Sequence, residues 1–128
     1  MTCVRRGWQA GVMELWHNPR CSKSRQAKAL LEERGAPFRE RRYLDDPPSA
    51  EELDAVLRAL GLEPWELARL GEPIAKELQL RELPHERAAW LELLAAHPIL
   101  IERPILFSGD GRAALGRPPE RVLELLEP

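Results

Sequence analysis

The chain has 128 residues and a formal net charge of −2, with 44% hydrophobic and 31% charged residues. This size and balance are typical of one globular domain with its own core. The small net charge argues against binding to nucleic acid or to an acidic membrane, and no apolar run approaches the roughly 20 residues of a membrane span. Two cysteines and three histidines fit neither a disulfide framework nor a zinc pattern, so we expect no metal and a reducing, cytoplasmic setting.

Residues 1–12 show no apolar periodicity, and they contain Cys3, one of the two cysteines. Their two arginines are followed by neither an apolar core nor a small-residue cleavage site, so they do not have the pattern of a signal peptide. We therefore expect residues 1–12 to form a loose N-terminal extension and residues 13–128 to form the domain. A short N-terminal strand is the alternative for the extension.

The first part of the domain has a β-α-β pattern. A strand is predicted over residues 14–17 and is ended by Asn18-Pro19. The spacing of Ala27, Leu30 and Leu31 predicts a helix over residues 21–34, which Gly35 can end. An arginine-rich second strand is predicted over residues 38–44.

The middle of the chain is predicted to be helical. Ser49 followed by Glu52 is a capping box, and it opens a helix that Gly61 can end. Further helices are predicted at about residues 64–70, 73–78 and 85–96.

The last part has a β-β-α pattern. A strand over residues 105–108 leads into the hairpin turn Gly109-Asp110-Gly111, a returning strand over residues 112–115, and a final helix opened by Pro118-Pro119. The order β-α-β, helices, β-β-α predicts an α/β fold with one small mixed sheet and a helical insertion.

Cys21 stands within "HNPRCSKSR", where the first helix begins. Free backbone N–H groups and the positive end of the helix dipole favour a thiolate there, and the same groups can bind an oxyanion. A buried, inert cysteine is the alternative. Neighbouring charges and hydroxyls that could assist the thiolate are Arg20, Lys23, Arg25, Ser22 and Ser24.

Two classes of cysteine enzyme are excluded by the spacing after Cys21. Ala27 stands where the C-x5-R loop of cysteine phosphatases has its arginine, and Ser24 replaces the second thiol of a C-x-x-C oxidoreductase. With one thiol in the motif, a mixed disulfide on Cys21 requires an outside thiol to resolve it.

Arginine supplies 16 of the 19 basic residues. Codon usage in a GC-rich genome explains such a bias, and so does oxyanion binding, because the guanidinium fork matches such ligands. Local spacing selects no particular arginine for that role.

Five segments, in order and over about residues 13–128, resemble the glutaredoxin-coupled arsenate reductases of the ArsC family. Each segment alone is a weak signal, and the five in register are a strong one. They are "WHNPRCSKSR" (16–25), "YLDDPPSAEEL" (43–53), "LARLGEPIAKELQL" (67–80), "HPILIERPI" (97–105) and "GRPPERVLELL" (116–126).

The resemblance implies a thioredoxin-like fold with Cys21 as the active cysteine. It implies that Arg69, Arg103 and Arg117 bind the oxyanion, and that Pro104 is a cis-proline facing the cysteine. His17 either tunes the thiolate or makes a structural hydrogen bond. The residues expected to support the site are His17, Asn18, Ser22, Ser24, Arg25 and Pro104.

The resemblance also implies the reaction, which is reduction of arsenate to arsenite with glutathione as co-substrate and glutaredoxin as the recycling partner. No bound cofactor, nucleic acid or membrane is implied. Three alternatives remain: an ArsC-like redox protein without arsenate activity, a polymerase-binding regulator, or a monothiol glutaredoxin-like protein. Ser24 argues against the regulator, which typically carries C-x-x-C as a redox switch.

Overall fold

The computed structural model of the protein describes residues 13–126. The predictions for residues 1–12, including Cys3, concern a part of the chain outside this range. The predicted domain boundary before residue 13 therefore stays a prediction.

Four short strands form one mixed sheet. They are β1 (Met13–Trp16), β2 (Phe38–Arg41), β3 (Ile105–Ser108) and β4 (Ala113–Leu115), in the order β2-β1-β3-β4. β1 and β2 are parallel because the helix α1 (Ser22–Glu33) crosses between them, whereas β3 and β4 form an antiparallel hairpin. With β1 and β3 also antiparallel, this is the predicted small mixed sheet of a thioredoxin-like fold.

The helical insertion between β2 and β3 begins with the predicted capping box. Ser49 Oγ accepts the N–H of Glu52 at 3.1 Å, and the Glu52 carboxylate accepts the N–H of Ser49 at 3.0 Å. Gly61 ends this helix with φ 72°, a left-handed conformation that glycine adopts without strain. The helices of the insertion are α2 (Ala50–Leu60), α3 (Pro64–Leu67), α4 (Pro73–Glu77) and α5 (Arg87–Ala96), with 3₁₀ turns at Leu80–Glu82 and Pro98–Leu100.

Three predicted elements differ in the structure. The second strand, expected over residues 38–44, ends at Arg41, because the chain then turns and the N–H of Asp45 donates to Arg42 O at 3.0 Å. The helix expected over residues 64–70 ends at Leu67, because the following backbone is extended and pairs with another segment: Arg69 N–H donates to Leu100 O at 2.7 Å, and Glu102 N–H donates to Leu67 O at 3.0 Å. The final helix is a 3₁₀ helix, Pro119–Leu126. None of the helices within residues 13–126 is both long and apolar enough to cross a membrane.

The sheet separates two apolar layers, because alternate strand residues point to opposite faces. Leu15 and Leu106 pack with α1 and the C-terminal 3₁₀ helix, whereas their neighbours Trp16 and Ile105 pack with the helical insertion. The layer on the insertion side contains the buried side chains Leu53, Leu57, Leu67, Trp90, Leu94 and Leu100. The chain therefore folds as three layers, with the sheet in the middle.

A buried ionic cluster joins β1, β2 and α2. The Arg41 side chain is 4% exposed, and its two terminal nitrogens lie 2.7 and 3.2 Å from the Glu52 carboxylate oxygens. Arg41 Nη1 also lies 3.4 Å from Glu14 Oε1, and Nε and Nη2 donate to the carbonyl oxygens of Asp46 and Pro47 at 3.0 Å. This guanidinium therefore compensates two buried carboxylates at once.

Replacing Arg41 tests that cluster. We expect Arg41→Met to lower the free energy of unfolding by about 3–5 kcal/mol, because Glu14 and Glu52 lose the charge that offsets their burial. Urea unfolding at neutral pH measures the loss. Arg42→Met is the matched control, since the Arg42 side chain is 57% exposed. An equal, small effect of both changes would show that the buried cluster contributes nothing specific.

Candidate active site

The loop from β1 to α1 is held by its own polar groups. Cys21 is the N-cap residue of α1, with φ −95° and ψ 122°, and its N–H donates to Asn18 O at 3.0 Å. The Asn18 side chain accepts the N–H of Arg20 at 3.0 Å, and Arg25 Nη1 donates to Pro19 O at 2.8 Å. Asn18 and Arg25 thus shape the loop that presents the sulfur.

Ser24 connects the strand end to the helix from inside the protein. Its side chain is fully buried, its Oγ accepts the N–H of Asn18 at 3.0 Å, and a 2.8 Å hydrogen bond joins it to His17 Nδ1. Burial lowers the pKa of His17, so the imidazole is neutral at pH 7. These contacts support the structural alternative for His17.

The Cys21 thiol is 8% exposed and free. Burial is the largest influence on its pKa and raises it, but the backbone N–H of Ser24, the charge of Arg103 and the backbone N–H of Lys23 lower it. The net result is a pKa below the ordinary value of a cysteine. Donation by the Ser24 hydroxyl is not part of this effect, because that hydroxyl is bonded to His17 and Asn18. Ser22 is exposed in the first turn of α1.

Arg103 reaches the sulfur from the segment before β3. The charge and the side chain of Arg103 lower the pKa of the Cys21 thiol. The Arg103–Pro104 peptide bond is cis, as predicted. The Arg103 side chain is 13% exposed, and among residues 13–126 no hydrogen-bond partner is present for its buried Nε and Nη1. These unpaired donors beside the sulfur are suited to an anionic ligand.

Arg117 reaches the same sulfur from the end of β4. Its Nη2 lies 4.0 Å from Cys21 Sγ, and its Nε donates to Arg103 O at 2.9 Å. The preceding residue, Gly116, donates its N–H to Pro104 O at 2.8 Å. A side chain at Gly116 would lie 2.7 Å from Pro104 Cγ, so this close approach requires glycine.

Arg69 belongs to the same cluster without a described contact to the sulfur. The backbone pairing of Ala68 with Ile101 brings Arg69 beside the segment that carries Arg103. Arg69 Nη1 lies 2.5 Å from Glu72 Oε2, and Arg69 Nε lies 3.6 Å from Glu102 Oε1. The structure therefore places two of the three predicted arginines at Cys21 and links the third to them through Glu102.

Glu102 and Tyr43 are two site residues that sequence reasoning missed. One oxygen of Glu102 lies 3.2 Å from Arg117 Nη2 and 3.6 Å from both Arg69 Nε and Arg103 Nη1. Tyr43 is 1% exposed, and burial raises its pKa to about 12, while Arg103 and Arg69 lower it. Both residues stand in the quoted motifs, but only contacts across the fold reveal their places.

The arrangement combines a thiol of lowered pKa with guanidinium groups directed at it. Such a site can bind an oxyanion and attack it with sulfur. Within the part of the chain that the structure describes, no group of three or more His, Cys, Asp or Glu residues could hold a metal ion.

Comparison with known proteins identifies relatives of the whole domain. The ArsC family profile matches residues 16–125. An arsenate reductase of Neisseria meningitidis serogroup A is 43% identical over 115 residues, covering 89% of this chain and 97% of the relative. An uncharacterized protein from the glnII region of Streptomyces viridochromogenes is 48% identical over 117 residues, covering 89% and 98%.

Two solved structures of similar sequence have the same fold as this chain. The arsenate reductase from Vibrio cholerae superposes with a TM-score of 0.83 and is 44% identical, covering 91% of this chain and 98% of the other. The putative arsenate reductase from Yersinia pestis has a TM-score of 0.82 and 42% identity, covering 88% and 98%.

The lowered pKa of Cys21 is testable by alkylation. We expect the rate of iodoacetamide reaction at Cys21 to reach half its maximum below pH 8.5, the approximate value for a free cysteine. Arg103→Ala should move this midpoint upward, because the guanidinium favours the thiolate. Arg58→Ala, at a side chain 70% exposed, should leave it in place. If the pH midpoint of alkylation is the same in Arg103→Ala and in the unchanged protein, Arg103 does not stabilise the thiolate.

The close approach at Gly116 is testable by adding one methyl group. We expect Gly116→Ala to lower the free energy of unfolding by about 1–3 kcal/mol, because Pro104 and Val122 must move. Thermal or urea unfolding measures the change. Gly71→Ala is the control, since no atom lies within 4 Å of its added Cβ. Equal stability of the two variants would show that this contact relaxes at no cost.

Proposed function

Because this chain belongs to the ArsC family, we propose that it is an arsenate reductase. One observation carries the proposal: the Cys21 sulfur lies 4.0 Å from Arg117 Nη2, and the charge of Arg103 lowers the pKa of its thiol. The nucleophilic sulfur and the guanidinium groups that could bind an oxyanion therefore lie next to each other. The arsenate reductases of Neisseria meningitidis and Vibrio cholerae resemble the chain over nearly their whole length.

Arg103, Arg117 and Arg69 are proposed to bind the arsenate oxygens. The buried Nε and Nη1 of Arg103 lack hydrogen-bond partners among the described residues, and an oxyanion satisfies such donors in a bidentate manner. Negative charge grows on the arsenate oxygens as sulfur attacks. Fixed guanidinium groups therefore stabilise the transition state more than the bound substrate.

The chemistry begins at Cys21. Its thiolate attacks arsenic(V), forming the arsenic–sulfur bond, and one arsenate hydroxyl takes a proton from solvent and leaves as water. Glutathione then attacks the adduct at the Cys21 sulfur. The electron pair of the arsenic–sulfur bond stays on arsenic, which leaves as arsenite, and Cys21 is left in a mixed disulfide with glutathione.

Glutaredoxin is proposed to complete the cycle by taking glutathione from Cys21. The need for an outside thiol is supported by Ser24, which stands at the resolving position of a C-x-x-C motif but carries a buried hydroxyl bonded to His17. Cys21 is the one cysteine within residues 13–126. The proposal includes no metal and no bound cofactor, and it sets the reaction in a reducing cytoplasm.

A coupled assay tests the proposed reaction. We expect arsenate-dependent NADPH consumption with glutathione, glutaredoxin and glutathione reductase, and none when thioredoxin and thioredoxin reductase replace them. Cys21→Ser should abolish turnover, because a hydroxyl cannot form the adduct. Arg103→Ala and Arg117→Ala should each lower kcat/KM by at least about tenfold, since loss of one oxyanion donor commonly costs 10²–10³ in rate.

The controls separate oxyanion binding from a general charge effect. Arg103→Lys and Arg117→Lys should restore activity in part, because an ammonium lacks the bidentate fork. Arg58→Ala should be as active as the unchanged protein, since its side chain is 70% exposed. Alanine variants at Arg103 and Arg117 with the activity of the Arg58 control would leave the protein without an arsenate site.

A further inference from the structure

Glu102 places a carboxylate among the three arginines of the site. Its Oε1 lies 3.2 Å from Arg117 Nη2, 3.6 Å from Arg103 Nη1 and 3.6 Å from Arg69 Nε. It is therefore the common neighbour of all three guanidinium groups. Arg117 Nη2 lies 3.2 Å from this oxygen and 4.0 Å from the Cys21 sulfur, so one guanidinium nitrogen links the carboxylate to the reacting atom.

The position of Glu102 is fixed by the backbone. Its N–H donates to Leu67 O at 3.0 Å, within the antiparallel pairing of residues 68 and 101. Its carboxylate also accepts the N–H of Arg103 at 3.4 Å. The side chain is 28% exposed, so solvent reaches part of it. An oxyanion held by these arginines therefore has Glu102 as a neighbour.

We propose that Glu102 is a specificity-determining residue that selects oxyanions carrying a proton. An ionised carboxylate only accepts hydrogen bonds. Arsenate and phosphate retain at least one hydroxyl at pH 7 and can donate it to Glu102. Sulfate carries no proton at this pH, so it presents only acceptors to the carboxylate and leaves it without a hydrogen bond. This inference rests on the proposed oxyanion site at Cys21.

The same contact orients the substrate. A hydroxyl that donates to Glu102 leaves the deprotonated oxygens of the oxyanion for the guanidinium donors, including Nε and Nη1 of Arg103, which have no hydrogen-bond partner within residues 13–126. The carboxylate also offsets one of the three positive charges, which reduces the attraction for all anions alike. Selection thus comes from the hydrogen bond between the anion's hydroxyl and Glu102, which an anion without a proton cannot form.

Protection of Cys21 from alkylation tests this selection without any turnover. Dissociation constants for inorganic phosphate and for sulfate are obtained from the slowing of iodoacetamide reaction at pH 7 and constant ionic strength. We expect the unchanged protein to bind phosphate at least about tenfold more tightly than sulfate, because sulfate leaves the Glu102 acceptor unpaired. Equal protection by the two anions would overturn the inference without any variant.

Glu102→Gln removes the charge, keeps the shape and adds a donor. We expect it to reduce the phosphate preference by at least about tenfold, chiefly through tighter sulfate binding. Glu72→Gln is the matched control, because Glu72 contacts Arg69 and its change removes the same charge. It should tighten the binding of phosphate and of sulfate to the same extent, so that the ratio of their dissociation constants changes by no more than about twofold. If Glu102→Gln has the same ratio of sulfate to phosphate dissociation constants as the unchanged protein, the inference is overturned.

The assay of arsenate reduction separates this inference from the proposed function. Selective anion protection that depends on Glu102, found without arsenate turnover, would remove the proposed reaction and keep the specificity site. Arsenate turnover with an unchanged anion ratio in Glu102→Gln would keep the reaction and remove the role of Glu102. Failure of both anions to protect Cys21 would overturn the specificity site.

Discussion

The hydroxyl of Ser24 sets the geometry on which the candidate site depends. It lies fully buried, accepts the N–H of Asn18 and bonds to His17, so it joins the end of β1 to the first turn of α1. With that junction fixed, the backbone N–H groups of Lys23 and Ser24 favour the thiolate of Cys21. A second thiol at this position would have to give up these contacts in order to reach Cys21. The serine therefore serves the fold, and the proposed reaction takes its second thiol from outside.

Around that sulfur, burial and charge act in opposite directions. Removing the thiolate from water raises its pKa, and burial is the largest influence on Cys21. The guanidinium of Arg103 and the backbone N–H groups of α1 outweigh this effect, so that the net shift of the Cys21 pKa is downward. The arginines in turn are spaced by Glu102, which lies within 3.6 Å of each. Without such a carboxylate, three like charges would repel one another across the site. The positions of Cys21, Arg103 and Glu102 are thus mutually dependent.

The sequence predicts best the features whose signals are local. The capping box at Ser49, the end of its helix at Gly61 and the β-α-β order of the first elements follow from short patterns, and the structure has them. The helix expected through residue 70 is wrong beyond Leu67, because pairing with a segment more than 30 residues away overrides local propensity. Cys21 is visible from its position at a helix start. Arg103 and Arg117 required a family resemblance, and Glu102 and Gly116 required the contacts themselves.

Arg69 shows why a helical insertion is useful at a site built on a small sheet. The insertion lies between β2 and β3 and packs on the sheet face that carries Trp16 and Ile105. Its apolar layer, which includes Leu67 and Leu100, anchors both partners of the Ala68–Ile101 pairing. That pairing brings Arg69 beside Glu102, with Arg69 Nε 3.6 Å from Glu102 Oε1. The core of the insertion therefore stabilises the domain and delivers a charged group to the site with the same contacts.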